Sequence, residues 1–129
     1  MELKIDEALT LNEMAMPRAD VIYSSSRAGK VFLVHFDKLI KDFDSLSRLD
    51  LKHHCQEMQS WWDYVRGLTF KHNKKHVSDE DMKDWFFSAG GDFTEVLDKE
   101  TCLKYEQLIK EMLKNRNETI FSIVTRLWE

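Results

Sequence analysis

Apolar side chains recur at alternating spacings of four and three along most of this chain. One series is Phe32, Phe36, Leu39, Phe43 and Leu46, and a second is Leu51, Cys55, Met58, Trp62 and Val65. A third is Tyr105, Ile109 and Met112, with Leu113 directly after Met112, followed by Ile120, Val124 and Leu127. A β-strand places every second residue on one face, so it cannot produce this spacing, whereas an α-helix does. The pattern predicts an all-α fold.

Turn-forming residues are scarce, which favours long helices. The 129 residues include four glycines and a single proline, Pro17, and β-sandwiches or hairpin-rich folds need more of both. The hydrophobic content of 43% and charged content of 33% are those of an ordinary globular chain. This length accommodates one core. We therefore predict a single helical domain over 1–129, an up-and-down bundle of about four to five helices, with 1–16 as a loosely attached N-terminal segment.

Helix-capping signals place the boundaries in the first half of the chain. We expect a short helix over 6–15 and then a long helix that starts at Pro17, because proline suits a first helical turn. This helix runs to Leu46, although Gly29 also allows two shorter helices. The next helix is expected from Asp50, as its N-cap, to Phe70.

The second half contains shorter segments. Ser78 resembles a capping residue for a short helix that ends at Gly90-Gly91, since glycine suits the position after a helix end. Asp92 and Asp98 offer further N-caps for a last helix that extends to about Leu127. Asn115 and Asn117 are the residues at which that last helix could bend or be interrupted.

Charge and cysteine usage limit the classes of function. The net charge of −4 argues against a general nucleic-acid coat, which carries a basic excess. Cys55 and Cys102 lie on apolar helix faces without partners at metal-finger spacing, and are expected to be buried thiols in a reducing compartment. The N-terminus has no signal-peptide pattern, and no run approaches the roughly 18 apolar residues of a membrane span. We therefore expect a cytoplasmic protein without a membrane segment.

The string from Phe87 to Phe93, FSAGGDF, is the most conspicuous short motif. It resembles the segment with which enoyl-CoA hydratases of the crotonase family form an oxyanion hole, and, with one Glu fewer, the signature of diguanylate cyclases. Both families place the string after a buried strand of an α/β fold, whereas residues 78–86 here have the pattern of a capped helix start. We interpret the motif as a glycine helix end followed by an aspartate helix start.

Arg66 and His72 have five residues between them and are similar to the Arg–His pattern of HEPN-type ribonucleases. The resemblance implies a dimeric helical bundle in which Arg66 binds phosphate and His72 acts as the acid–base group, without a metal. Arg48 and His53 match the four-residue form of the same pattern, and Gly67 stands where the family commonly has a polar residue. The alternative interpretation is a solvated, basic helix end.

A metal site was considered on His53, His54, Glu57, His72 and His76. Di-iron bundles need several inward-facing Glu and His residues, and the inward positions of these helices are apolar. A zinc site needs three or four ligands in a closed geometry. We predict neither a metal nor another cofactor.

The remaining signals point to partner binding. Arg66, Lys71, Lys74 and Lys75 form a basic stretch that could meet an acidic protein surface or a nucleic acid, or could simply be solvated. Trp61 comes directly before the core residue Trp62, and Phe87 comes directly after the core residue Phe86, so each is expected beside the core or outside it. Trp128 lies next to the chain end.

These observations predict a non-catalytic protein-interaction or regulatory module. It would bind another protein, or a second copy of itself, through the residues Trp61, Phe87, Trp128, Arg66, Lys71, Lys74 and Lys75. The two alternatives are the metal-independent ribonuclease with Arg66 and His72, and a nucleic-acid-binding accessory subunit that uses the basic stretch.

Overall fold

The computed structural model describes residues 18–72, 79–88 and 93–129, which are helical and contain no strand. The elements are α1 Arg18–Lys41, a 3-10 turn Phe43–Ser45, α2 Arg48–His72, α3 Asp79–Met82 with a π-helical continuation Lys83–Phe87, α4 Phe93–Val96, α5 Lys99–Lys114 and α6 Ile120–Trp128. The predicted all-α helical bundle is confirmed. The expected helix over 6–15, Pro17, Ser78 and the glycine pair lie outside the described residues.

The helices α1 and α2 form an antiparallel pair. Ser24 and Tyr64 line the same groove, and His35 lies beside His54, so residue numbers rise along one helix as they fall along the other. α1 continues through Gly29 without a break, and Gly29 is buried. Of the two alternatives for this segment, the single long helix is therefore the correct one.

Two predicted boundaries between α1 and α2 are wrong. α1 ends at Lys41 rather than Leu46, because the N–H groups of Ser45 and Leu46 both donate to the Asp42 carbonyl and turn the chain. Ser47, not Asp50, caps α2: its Oγ accepts from the Asp50 N–H at 3.1 Å. The apolar spacing extends past the helix because turn residues also pack against the core.

The last helical region is divided at Asn115, one of the two residues at which interruption was considered. Its N–H donates to the Glu111 carbonyl, and its own φ of −118° leaves the helical range. A new N-cap follows, since Thr119 Oγ1 accepts from the Ser122 N–H at 3.1 Å. The predicted N-cap Asp98 is confirmed at the start of α5, where Oδ1 accepts from the Thr101 N–H at 2.8 Å.

An aromatic cluster joins the elements at the centre of the bundle. The π-helical turn contributes Phe86, whose ring centroid lies 4.9 Å from that of Phe32 on α1, and Phe87, which lies 5.3 Å from Trp62 on α2. Tyr105 on α5 completes the cluster and donates from its hydroxyl to the Phe87 carbonyl at 3.4 Å. Burial raises the pKa of Tyr105. The turn is thus held by contacts to three helices at once.

Replacement of Ser25 by Ala is expected to stabilise the fold. The Ser25 side chain is completely buried on α1, and its Oγ has no hydrogen-bond partner among the described residues. A buried hydroxyl without a partner costs about 1–3 kcal/mol, and alanine is also the better helix former. Ser25→Ala should raise the free energy of unfolding, measured by urea denaturation, by about 1 kcal/mol more than the half-buried control Ser26→Ala. A gain equal to or smaller than that of Ser26→Ala would contradict the conclusion that the buried Ser25 hydroxyl costs stability.

Candidate interaction surface on α1 and α2

A groove of about 260 Å³ runs between the outer faces of α1 and α2. Its lining residues are Ser24, Arg27, Ala28, Val31, Trp61 and Tyr64. On each helix these positions lie about one turn apart, which brings them to a single face. Ala28 is buried, and its small side chain leaves room for the groove between the two helices.

Aromatic side chains surround this groove. Trp61 is half-buried, and its ring meets Tyr64 edge to face with centroids 6.1 Å apart. Tyr64 is 47% exposed, Tyr23 on α1 is 63% exposed, and Val34 two turns further along α1 than Arg27 is also exposed. Exposed aromatics on a rigid scaffold are typical of protein-binding surfaces. We name the groove with Tyr23 and Val34 the Trp61 surface.

Arg27 is the charged residue that lines the groove, and the exposed residues Lys30 and Asp20 lie outside the lining on α1. Arg27 stacks over the Tyr23 ring, with its guanidinium carbon 5.8 Å from the centroid, and Lys30 follows one turn later. Neither cation lies within 4.0 Å of a carboxylate of the described residues. The nearby acid on α2, Asp63, already accepts from Gln59 Nε2 at 3.0 Å. The surface therefore combines apolar area with cations that are available to an acidic partner.

Phe87 does not belong to this surface. It is 1% exposed and packs in the aromatic cluster, so the expectation that it lies beside or outside the core is wrong. The sequence indicates only that neighbours on a helix point about 100° apart, not whether the other side is covered. Here Trp62 and Tyr105 cover it from α2 and α5.

The other predicted partner-binding residues are dispersed. Trp128 is half-buried and packs against Phe36, with centroids 6.1 Å apart. Arg66 Nη1 donates to the Arg116 carbonyl at 3.2 Å and its guanidinium carbon lies 5.9 Å from the Trp62 ring, so it connects α2 to the segment before α6. The side chain of Lys71 and the whole of Lys74 and Lys75 lie outside the described part. Among the predicted residues whose side chains the structure describes, Trp61 alone lines the groove.

The arginines of the ribonuclease hypothesis, Arg66 and Arg48, contact other parts of the bundle. The side chain of His72 lies outside the described part, and the contacts of Arg66 to Arg116 and to Asp63, at 3.9 Å, are structural. In the alternative pair, Arg48 forms an ion pair with Glu129 at 2.6 Å and stacks over Phe121. Both arginines are thus engaged in contacts that hold the bundle together.

Three histidines lie on the α1–α2 pair further from the groove. The His35 and His54 rings are 5.8 Å apart, the His54 and His53 rings are 6.1 Å apart, and Glu57 lies one turn from His54. The Nδ1 atoms of His35 and His54 are buried and have no hydrogen-bond partner among the residues of the described ranges. Among the residues that the structure describes, no group of three or more His, Cys, Asp or Glu side chains has the arrangement of a metal site. Sequence reasoning had missed His35 because it treated the histidines one helix at a time.

Acidification is expected to destabilise the α1–α2 pair through His35. Its pKa is lowered from the usual 6.5, first by burial and then by the nearby His54, Lys38 and His53, while Glu57 opposes the shift. Between the lowered pKa and 6.5 the unfolded chain binds more protons than the folded chain, so stability falls as the pH falls through that window.

Urea denaturation at a series of pH values from about 7 to 5 measures this effect. His35→Gln, which cannot be protonated, should flatten the decline, whereas the exposed control His53→Gln should leave most of it in place, because His53 makes the smallest contribution to the lowered pKa of His35. An unchanged decline in His35→Gln would show that other groups cause it.

The helices and the comparisons bear on function as follows. Within the described ranges, no helix combines the length and the apolar character that a bilayer crossing requires. A comparison of the chain with protein-family models, with curated proteins and with solved structures finds no match.

Proposed function

We propose that the protein is a small non-catalytic interaction module that binds another protein through the Trp61 surface. The observation that supports the proposal is the coincidence of a groove and exposed aromatic rings on two long, mutually packed helices, with α1 cations that form no ion pair with another described residue. Because both walls of the groove are helical, little conformational entropy is lost when a partner binds.

The surface selects a partner by its chemistry. An aliphatic or aromatic side chain of the partner would enter the groove against Trp61, where burial of a side chain of that size contributes about 1.5–3 kcal/mol. Carboxylates that flank this side chain would face Arg27 and Lys30. The expected ligand is thus an acidic segment with an apolar anchor, presented by another protein.

A second copy of this chain fits the surface less well. In a symmetric dimer the same surface is used twice, so a two-fold axis through the groove would bring Arg27 towards the Arg27 or Lys30 of the other copy. Like charges brought together in this way oppose association. We therefore propose a different protein as the partner.

The buried cysteines suggest where the module works. Cys55 and Cys102 are both buried, and burial raises the pKa of the Cys55 thiol to about 12, which makes it unreactive. Buried thiols suit a reducing compartment, and we propose a cytoplasmic location on that basis.

Selection from a displayed library of random peptides tests the proposed chemistry. The full chain should enrich peptides that combine apolar residues at helical spacing with Asp or Glu. Binding of the enriched peptides, measured by fluorescence anisotropy, should weaken about tenfold or more in Trp61→Ala and in Arg27→Glu, because one removes the anchor contact and the other reverses the charge.

Matched controls are available on other helices. Leu103→Ala removes an exposed apolar side chain from α5, and Lys99→Glu reverses an exposed charge at the start of α5; neither should change the affinity. Enrichment of nothing, or equal losses in the controls, would overturn the proposal. Sedimentation velocity adds a further outcome: a dimer that Trp61→Ala dissociates would replace the different protein with a second copy.

A further inference from the structure

A second and larger groove lies between the π-helical turn and α5. It encloses about 620 Å³, within the range of sites that hold small molecules. Its floor is apolar and consists of Phe87 from the turn with Ile109 and Leu113 from α5. None of these residues belongs to the Trp61 surface, so the two sites are independent.

Three lysines stand around this apolar floor. Lys83 comes from the π-helical turn, and Lys110 and Lys114 lie one turn apart on α5. Like charges four residues apart destabilise a helix slightly. Neither Lys110 nor Lys114 lies within 4.0 Å of a carboxylate of the described residues, whereas Lys83 approaches Glu80 at 3.8 Å. The pair on α5 therefore carries repulsion that an anion would relieve.

Two carboxylates also line the groove. Asp79 is neutralised by an ion pair with Arg116, and Glu106 is exposed one turn before Lys110. Two groups of the lining are already paired, Asp79 with Arg116 and Lys83 with Glu80 at 3.8 Å. The remaining charge of the lining is positive, because Lys110 and Lys114 face the single acid Glu106. A ligand with a single anionic group would meet Lys110 and Lys114, which lie one turn apart on α5.

The backbone of the groove is itself unusual. π-Helical turns are rare and are frequent at functional sites. This turn contributes both a rim cation, Lys83, and a floor residue, Phe87. The hydroxyl of Tyr105 donates to the Phe87 carbonyl, so the floor is tied to the core of the bundle.

We propose that this groove binds a small amphipathic anion. Its apolar body would lie on Phe87, Ile109 and Leu113, and its carboxylate or phosphate would be held by Lys110 and Lys114. A free fatty acid and an anionic membrane lipid, whose charged head group is attached to acyl chains, share this chemistry.

Displacement of the fluorescent probe 8-anilinonaphthalene-1-sulfonate from the full chain tests the proposal. The probe combines an apolar body with a sulfonate, and its emission rises when it binds apolar surface. Saturable binding is expected, with displacement by decanoate but not by decanol or decyltrimethylammonium. Lys110→Glu/Lys114→Glu should weaken probe and decanoate binding roughly tenfold or more.

The matched control is Lys52→Glu/Lys99→Glu, which makes the same change of net charge at exposed positions outside the groove and should bind like the original chain. An equal loss of probe and decanoate binding in this control would show that the change of net charge, and not the position of Lys110 and Lys114, weakens binding. Equal displacement by decanol would leave an apolar groove without anion selectivity. Either result, or the absence of saturable binding, would overturn the proposal.

Vesicles separate the two sources of the anion. Sedimentation with phosphatidylglycerol vesicles in addition to decanoate binding would indicate a lipid head group, and decanoate binding alone would indicate a free ligand. Sedimentation with vesicles without any decanoate binding would overturn the proposal in favour of a membrane surface. Peptide binding at the Trp61 surface is measured separately, so failure of one site is distinguishable from failure of the other.

Discussion

The insertion of one short aromatic turn between three long helices is the contact on which the bundle depends. Phe86 and Phe87 pack against Phe32 of α1 and Trp62 of α2, and Tyr105 of α5 bonds to the turn's backbone. Aromatic side chains of this size contribute the largest buried areas in a small core. Without the turn, the apolar faces of α1, α2 and α5 would surround a gap that the side chains of these helices do not fill. The turn therefore decides how the helices are spaced, and with them the two grooves.

That arrangement engages many of the described side chains in packing and in bridges between elements. Most apolar positions of the long helices are consumed by packing, and the arginines Arg48, Arg66 and Arg126 bridge separate elements. Arg126 illustrates the point: its bonds to Glu118 and Glu111 raise its pKa and tie α5 to α6. The surface features that remain are the grooves between neighbouring helices. Such grooves offer shape and charge to a ligand.

The sequence predicted the core well and the edges poorly. The predicted core residues of α2, namely Leu51, Cys55, Met58, Trp62 and Val65, are all buried. An apolar spacing that repeats over several helical turns determines which face of the helix packs against the core. The same spacing was misleading at Phe43 and Leu46, which cover the core from a turn. Phe87 was misplaced because its exposure depends on α5, about 20 residues away in sequence, which local periodicity does not report. The grooves were missed for the same reason, since each joins residues from two elements.

The net charge was a poor guide to local electrostatics. A value of −4 argues against broad binding of polyanions, yet it is an average over the chain. Charges separated by more than about 10 Å are largely screened from one another at ordinary ionic strength, so a ligand responds to the few groups near it. Those groups include Arg27 in the lining of the first groove, with Lys30 one turn further along α1, and Lys110 and Lys114 in the lining of the second. An ion pair such as Asp37–Lys41 or Glu100–Lys104 takes up one cation for each acid, so pairing leaves the net charge unchanged. An overall acidic chain can still present a cationic site because its charges are unevenly distributed, as at Lys110 and Lys114 in the second groove. The sign of a partner's charge must therefore be inferred from the groove and not from the composition.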